Sequence, residues 1–138
     1  MKRLLARLAL VPFGIAAVIG LVGVAQQPAS AEDEITVYIY GANFPHYILG
    51  EANFRPDGGG QITTHDQWCD GDNGIVAAVY RKNYNEWQRT ALSQAVGCGS
   101  FDSRPGYLRQ GDYFRLRVCK LLPDKTWKDC VDRFGYSH

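Results

Sequence analysis

Asp112-Tyr113-Phe114-Arg115-Leu116-Arg117-Val118-Cys119-Lys120 alternates without a break. Phe114, Leu116 and Val118 fall on one side; Tyr113, Arg115, Arg117 and Cys119 fall on the other. A period of two is the mark of a strand with one face in the core and one in water. Pro123-Asp124-Lys125-Thr126 follows and has turn chemistry. Beyond it, Trp127 to Arg133 places Trp127, Asp129 and Val131 on one side, with Lys128, Cys130 and Asp132 on the other. Folding the two segments about Asp124-Lys125 sets position 119 opposite position 130. Both cysteines then share the polar face of one hairpin, at a separation a disulfide can span. The same alternation assigns Trp127, with Val131, to the core.

The chain has four cysteines, Cys69, Cys98, Cys119 and Cys130. The gaps between them are 28, 20 and 10 residues, and no C-x-x-C pair occurs. These spacings match no common zinc pattern, so two disulfides are expected. Four cysteines allow three connectivities. The hairpin register favours Cys119 with Cys130 and leaves Cys69 with Cys98.

The start of the chain fits that chemistry. Lys2, Arg3 and Arg7 precede an uncharged apolar run from Leu8 to Val24, followed by Ala29-Ser30-Ala31. A basic segment, an apolar segment and small residues before a cleavage point make up a secretory leader. The expected cut is between Ala31 and Glu32. Pro12, Gly14, Gly20 and Gly23 make the run a poor permanent membrane helix. The expectation is therefore a secreted protein with no membrane association after cleavage. Residues 32–138 carry 12 basic against 14 acidic side chains. Such a balance has no overall field to draw the protein onto nucleic acid, so no nucleic-acid partner is expected.

Outward from the hairpin, short strand signals alternate with Gly, Pro, Asn and Asp clusters. Ile35 to Tyr40 alternates. Glu51 to Arg55 and Gln61 to Asp66 flank Pro56-Asp57-Gly58-Gly59-Gly60. Ile75 to Arg81 is apolar on both faces and belongs in the middle of a packed structure. Glu86 to Ala91 and Gly97 to Asp102 are further candidate strands. Thr90 to Val96 contains helix-forming residues and reads equally as strand and turn. Gly111 is expected to supply a positive φ before the terminal hairpin. The fold class is all-β: an antiparallel β-sandwich of about seven or eight short strands with two disulfides. The expected organisation is a leader at 1–31, an N-terminal strand and loop at 32–50 and the β-sandwich domain at 51–138.

Residues 51–133 carry a recurring outline: Phe54, Cys69-Asp70, the Asp72-Asn73-Gly74 turn, the apolar Ile75 to Tyr80, Trp87, Gly97-Cys98, Gly111, Val118-Cys119 and Cys130. In this it resembles a group of small exported actinobacterial proteins of uncharacterised function. The resemblance implies a β-sandwich domain and carries over no catalytic residue.

The chemistry-bearing residues offer little catalytic organisation. Asp70-Gly71-Asp72-Asn73-Gly74 departs from an EF-hand loop after two ligands, with Gly74, Ile75 and Arg81 at positions 5, 6 and 12. An Asx-type turn is the better reading, with a weak calcium site on Asp66, Asp70 and Asp72 as the alternative; no metal or cofactor is expected. A nuclease-like hydrolase needs a base, an acid and a cation around one phosphate. His46, His65, Glu51 and Asp66 supply the types, but no spacing unites them, and His138 stands at the end of the sequence given. Ser100 has no motif around it.

Arg104, Arg109, Arg115 and Arg117 lie close together, with Tyr107 and Tyr113 among them. Arginine and aromatic side chains combine contact area with directed hydrogen bonds, as binding surfaces use them. Trp68, beside Cys69 in a loop, is the tryptophan most expected to be exposed. The expected function is a secreted, non-enzymatic, monomeric binding domain for an extracellular protein or other ligand, using Trp68, Tyr113, Arg115 and Arg117. The alternatives are a small secreted hydrolase and a carbohydrate-binding module.

Overall fold

A computed structural model describes residues 34–41, 47–69, 71 and 73–138. The expected leader, His46, and the Asp70 and Asp72 of the calcium alternative lie outside the described residues.

Among the described residues, eight strands form two antiparallel sheets. The strands are β1 (Ile35–Tyr40), β2 (Ile48–Arg55), β3 (Gln61–Asp66), β4 (Gly74–Asn83), β5 (Glu86–Val96), β6 (Phe101–Pro105), β7 (Tyr113–Leu121) and β8 (Trp127–Tyr136). The first sheet runs β1-β2-β3-β6, the second β5-β4-β7-β8. This is the antiparallel β-sandwich the alternation requires. A 3-10 turn at Asp57–Gly59 joins β2 to β3.

The inward sets of both sheets make one core. Val37, Ile39, Ala52, Phe54 and Ile62 of the first sheet meet Ile75, Ala77, Val79, Phe114, Leu116 and Val118 of the second. Phe54 and Phe114 meet edge to face with centroids 5.0 Å apart, the geometry ring quadrupoles favour. Each such side chain, fully buried, contributes on the order of 1.5–3 kcal/mol. β4 lies inside its sheet and buries Ile75 to Val79 on both faces, as its unbroken apolar run demands. Thr90 to Val96 belongs to β5, where Ala91 and Ala95 point inward, so tertiary burial overrides the helix-forming residues.

One position shows how closely the sheets approach. A Cβ on Gly50 would stand 2.3 Å from Ile75 Cγ1 and 2.4 Å from the His65 carbonyl oxygen. Gly111 takes φ +83° before β7, as expected.

The terminal hairpin holds a correction. Val118 pairs with Val131, but Lys120 pairs with Lys128 and Leu121 with Trp127, so β8 carries one extra residue between. Asp129 takes φ +53° there. An inserted residue reverses the facing of everything beyond it. Trp127 therefore leaves the main core. It packs, half-buried, on a small cluster of Val76, Cys119 and Leu121 on the outer face of the second sheet.

Both disulfides form as expected, Cys119–Cys130 within this hairpin and Cys69–Cys98 between the β3–β4 and β5–β6 connections. The described residues contain no free cysteine. Around Cys69–Cys98, Asp66 supports the same junction. Its Oδ2 accepts the Gly97 N–H at 2.9 Å and its Oδ1 the Trp68 N–H at 3.2 Å. Two disulfides point to an oxidising compartment. Among the described residues no helix is long and apolar enough to cross a membrane.

Candidate binding face on the second sheet

The strand register builds the outer face of the second sheet row by row. One row reads Arg89, Tyr80, Arg115, Phe134 across β5, β4, β7 and β8. Towards the β4–β5 hairpin lie Trp87, paired with Lys82, and Tyr113, paired with Tyr136. On the other side lie Leu92, Ala78, Arg117 and Asp132, then Gln94, Val76 and Cys119 with its disulfide partner Cys130. Side chains alternate along a strand and opposed residues share a face. In β5 an extra residue between Arg89 and Ala91 brings Trp87 and Arg89 onto the face of Leu92 and Gln94.

The aromatic members touch. Trp87 lies 5.7 Å from Tyr113 and 5.9 Å from Phe134, centroid to centroid. Tyr113 lies 4.9 Å from Tyr136, and 6.3 Å from Phe134 with planes only 18° apart. These rings are not sealed from water. Phe134 is 52% and Tyr136 62% exposed, and Tyr113 is 36% exposed. Four adjoining rings on an open sheet face form a patch, where one exposed aromatic would be unremarkable.

Cations are set into it. The Arg115 guanidinium carbon stands 4.4 Å from the Tyr80 ring centroid and 5.0 Å from that of Trp87. Lys82 Nζ stands 5.0 Å from the Trp87 centroid. Ring quadrupoles attract both charges. Arg115 Nε is buried and has no hydrogen-bond partner. Arg117 is engaged differently: its Nε and Nη2 donate to the two Asp132 oxygens at 2.8 and 2.7 Å. The guanidinium's hydrogen bonds hold the Asp132 carboxyl below its usual range, and the carboxylate's raise Arg117 further above its own. This bidentate pair orients the strand beside Arg115 and is already satisfied.

Of the expected ligand-binding residues, the structure brings Tyr113, Arg115 and Arg117 together and leaves Trp68 apart. Trp68 follows the end of β3 at the opposite end of the sandwich, stacked on Tyr47 with centroids 4.1 Å and planes 17° apart. Phe134 and Tyr136 carry no sequence signal for ligand binding; Trp87, like Trp68 and Trp127, offers a ring that can stack on a sugar, with a core position as the competing reading. Alternation with Asp132 gives the facing of Phe134 and Tyr136, whereas Trp87 reaches this face only through the register shift in β5. The convergence of all three on Tyr113 depends on which strands are neighbours.

The outer face of the first sheet is mainly polar. Thr36, Asn53, Thr63 and Ser103 form one row, Tyr38, Glu51, His65 and Phe101 the next. The His65 ring stacks on Phe101 at 3.9 Å. Its Nδ1 lies 3.9 Å from Glu51 Oε1, beyond hydrogen-bond reach. Asp66 points inward and is buried. Among the described residues no group of three His, Cys, Asp or Glu side chains converges to hold a metal ion. No family model, no curated protein and no solved structure matches the chain.

Proposed function

We propose that the chain is an exported, non-enzymatic binding domain whose recognition surface is the outer face of the second sheet. The supporting observation is the contiguous cluster of Trp87, Tyr113, Phe134 and Tyr136 around the stacked Arg115. Leaving such rings in water forgoes burial worth on the order of 25 cal/mol per Å², and patches of this kind mark interaction sites. Arginine and aromatic anchors carry most of the energy where partners meet. The two disulfides and the basic, apolar and small-residue order of the first 31 positions favour action outside the cytoplasm. The hydrolase alternative has less support, because His65 and Glu51 stand apart on an open sheet face.

The test uses Trp87 as a reporter in a Trp68→Phe/Trp127→Phe background. Fractions of the surrounding medium, separated into protein, polysaccharide and small molecules, are titrated against its fluorescence. At least one fraction shifts the emission saturably, and Phe134→Ser/Tyr136→Ser removes the response. No saturable shift from any fraction overturns the reading.

A further inference from the structure

We infer that the ligand of this face is an acidic polysaccharide, its sugar rings lying on Tyr113, Phe134 and Tyr136 and its carboxylates pairing with Arg115. This rests on the reading of the second sheet as a binding face. Three observations carry it further.

The first is charge. Lys82, Arg89, Arg115 and Arg117 stand on the face with Asp132, and among its described residues only Arg117 is ion-paired with a carboxylate. Residues 32–138 as a whole carry an acidic excess. A local cationic strip on such a domain selects a short acidic segment and lacks the long-range field that would gather a phosphate polymer.

The second is the state of Arg115. Its guanidinium lies against Tyr80 and Trp87 and makes no ion pair among the described residues; its Nε is buried, which leaves the terminal nitrogens to meet a ligand. Arginine presents donors in a planar fork matched to a carboxylate. Here the fork is already oriented by ring contacts, so little side-chain freedom remains to be lost on pairing.

The third is size. Four strands at a spacing of about 4.8 Å span about 14 Å, and positions two apart along a strand lie about 7 Å apart. The aromatic and cationic rows thus form a narrow strip about 14 Å long and about 7–14 Å wide along the backbone. A chain of rigid rings fits this footprint. Its C–H faces lie against the electron-rich faces of aromatic rings, and it loses less freedom on ordering than a peptide of the same length.

The experiment is an amide NMR titration of the oxidised protein with a hexameric oligogalacturonate. Its methyl ester, a dodecathymidylate and a polyglutamate peptide are titrated in parallel. The uronate is expected to shift the amides of Tyr113, Arg115 and Phe134, not those of the outer face of the first sheet. Affinity is expected to fall at least tenfold for the methyl ester, for Arg115→Gln and for Phe134→Ser. Phe134 is exposed, so its variant keeps the test open if Arg115→Gln folds poorly. Equal binding of the methyl ester, or tighter binding of the nucleotide or the peptide, overturns the proposal. If Trp87 responds to a medium fraction while the uronate causes no shift, the binding face stands and the glycan falls. If neither responds, both fall.

Discussion

Thr64 and Ser93 meet through their hydroxyl oxygens, 2.9 Å apart, at the buried junction of the two sheets. Thr64 comes from β3 and Ser93 from β5, and both are fully buried. Ser93 Oγ also lies 3.0 Å from the Asp102 carbonyl and 3.1 Å from its carboxylate. With one proton, Ser93 donates to Asp102 and accepts from Thr64. Ser93→Ala leaves those groups short of a partner in the interior, at a cost of about 1–3 kcal/mol. Thr64→Val/Ser93→Ala is expected to cost less than the sum of its parts, because the two hydroxyls serve each other. Urea unfolding of the four proteins checks both statements. A Ser93→Ala loss under about 0.5 kcal/mol counts against them.

Gly50→Ala is expected to be among the most damaging single-methyl additions in the chain. The new Cβ would press on Ile75 Cγ1 and on backbone at His65, and backbone cannot yield as a flexible side chain does. Overpacking of this kind costs typically about 1–3 kcal/mol. Thermal melting of Gly50→Ala checks it, with Gly58→Ser as a control for backbone strain, since nothing lies within 4 Å of a Cβ there and φ is +60°. A Gly50→Ala protein melting with the wild type would show that the sheets do not approach so closely.

The two disulfides are expected to differ in reducibility. Cys69 and Cys98 are both exposed, whereas Cys119 is fully buried. Attack on the exposed Cys130 sulfur must release a Cys119 thiolate beside Val76 and Leu121, a poor place for charge. Limited reduction followed by alkylation and mass spectrometry should label Cys69 and Cys98 first. Loop-closure entropy puts complete removal at about 3 kcal/mol for Cys119–Cys130 and about 3.5 kcal/mol for Cys69–Cys98.

Asp132 gives a pH dependence with a definite sign. Hydrogen bonds from Arg117 lower its carboxyl from the ordinary 3.8. The stabilisation is therefore complete above the unfolded value and is lost as pH falls through the lower folded one. The pair is partly exposed, so its contribution is about 0.5–1 kcal/mol. In Asp132→Asn, the fall in stability below about pH 4 is expected to flatten. An unchanged slope would show that the pair contributes nothing to the acid limb.

Much of this molecule is set by patterns that act within a few residues. The alternation in Ile35–Tyr40 and Tyr113–Leu121, the apolar run of β4 and the turn chemistry around Asp124 each dictate backbone and facing locally. The Cys119–Cys130 bridge agrees with the alternation folded about Asp124-Lys125, although the pairing next to the turn is one residue tighter and the bulge restores that register at Cys130. Trp127 shows where local reading stops. A single bulge at Asp129 turns it from core to outer face, and no residue in Trp127 to Arg133 announces that extra position.

The candidate face is legible in the sequence only in part. Tyr113, Arg115 and Arg117 share a strand, so their common facing is written in their spacing. Trp87 and Phe134 lie 47 positions apart in the chain, yet their rings come within 5.9 Å. That meeting needs β5 and β8 in one sheet with β4 and β7 between them, an order set by the packing of every inward side chain together. Local pattern determines facing along an unbroken strand, because successive side chains alternate; bulges that reset that facing, and what stands beside each residue, are decided only in the assembled sheet.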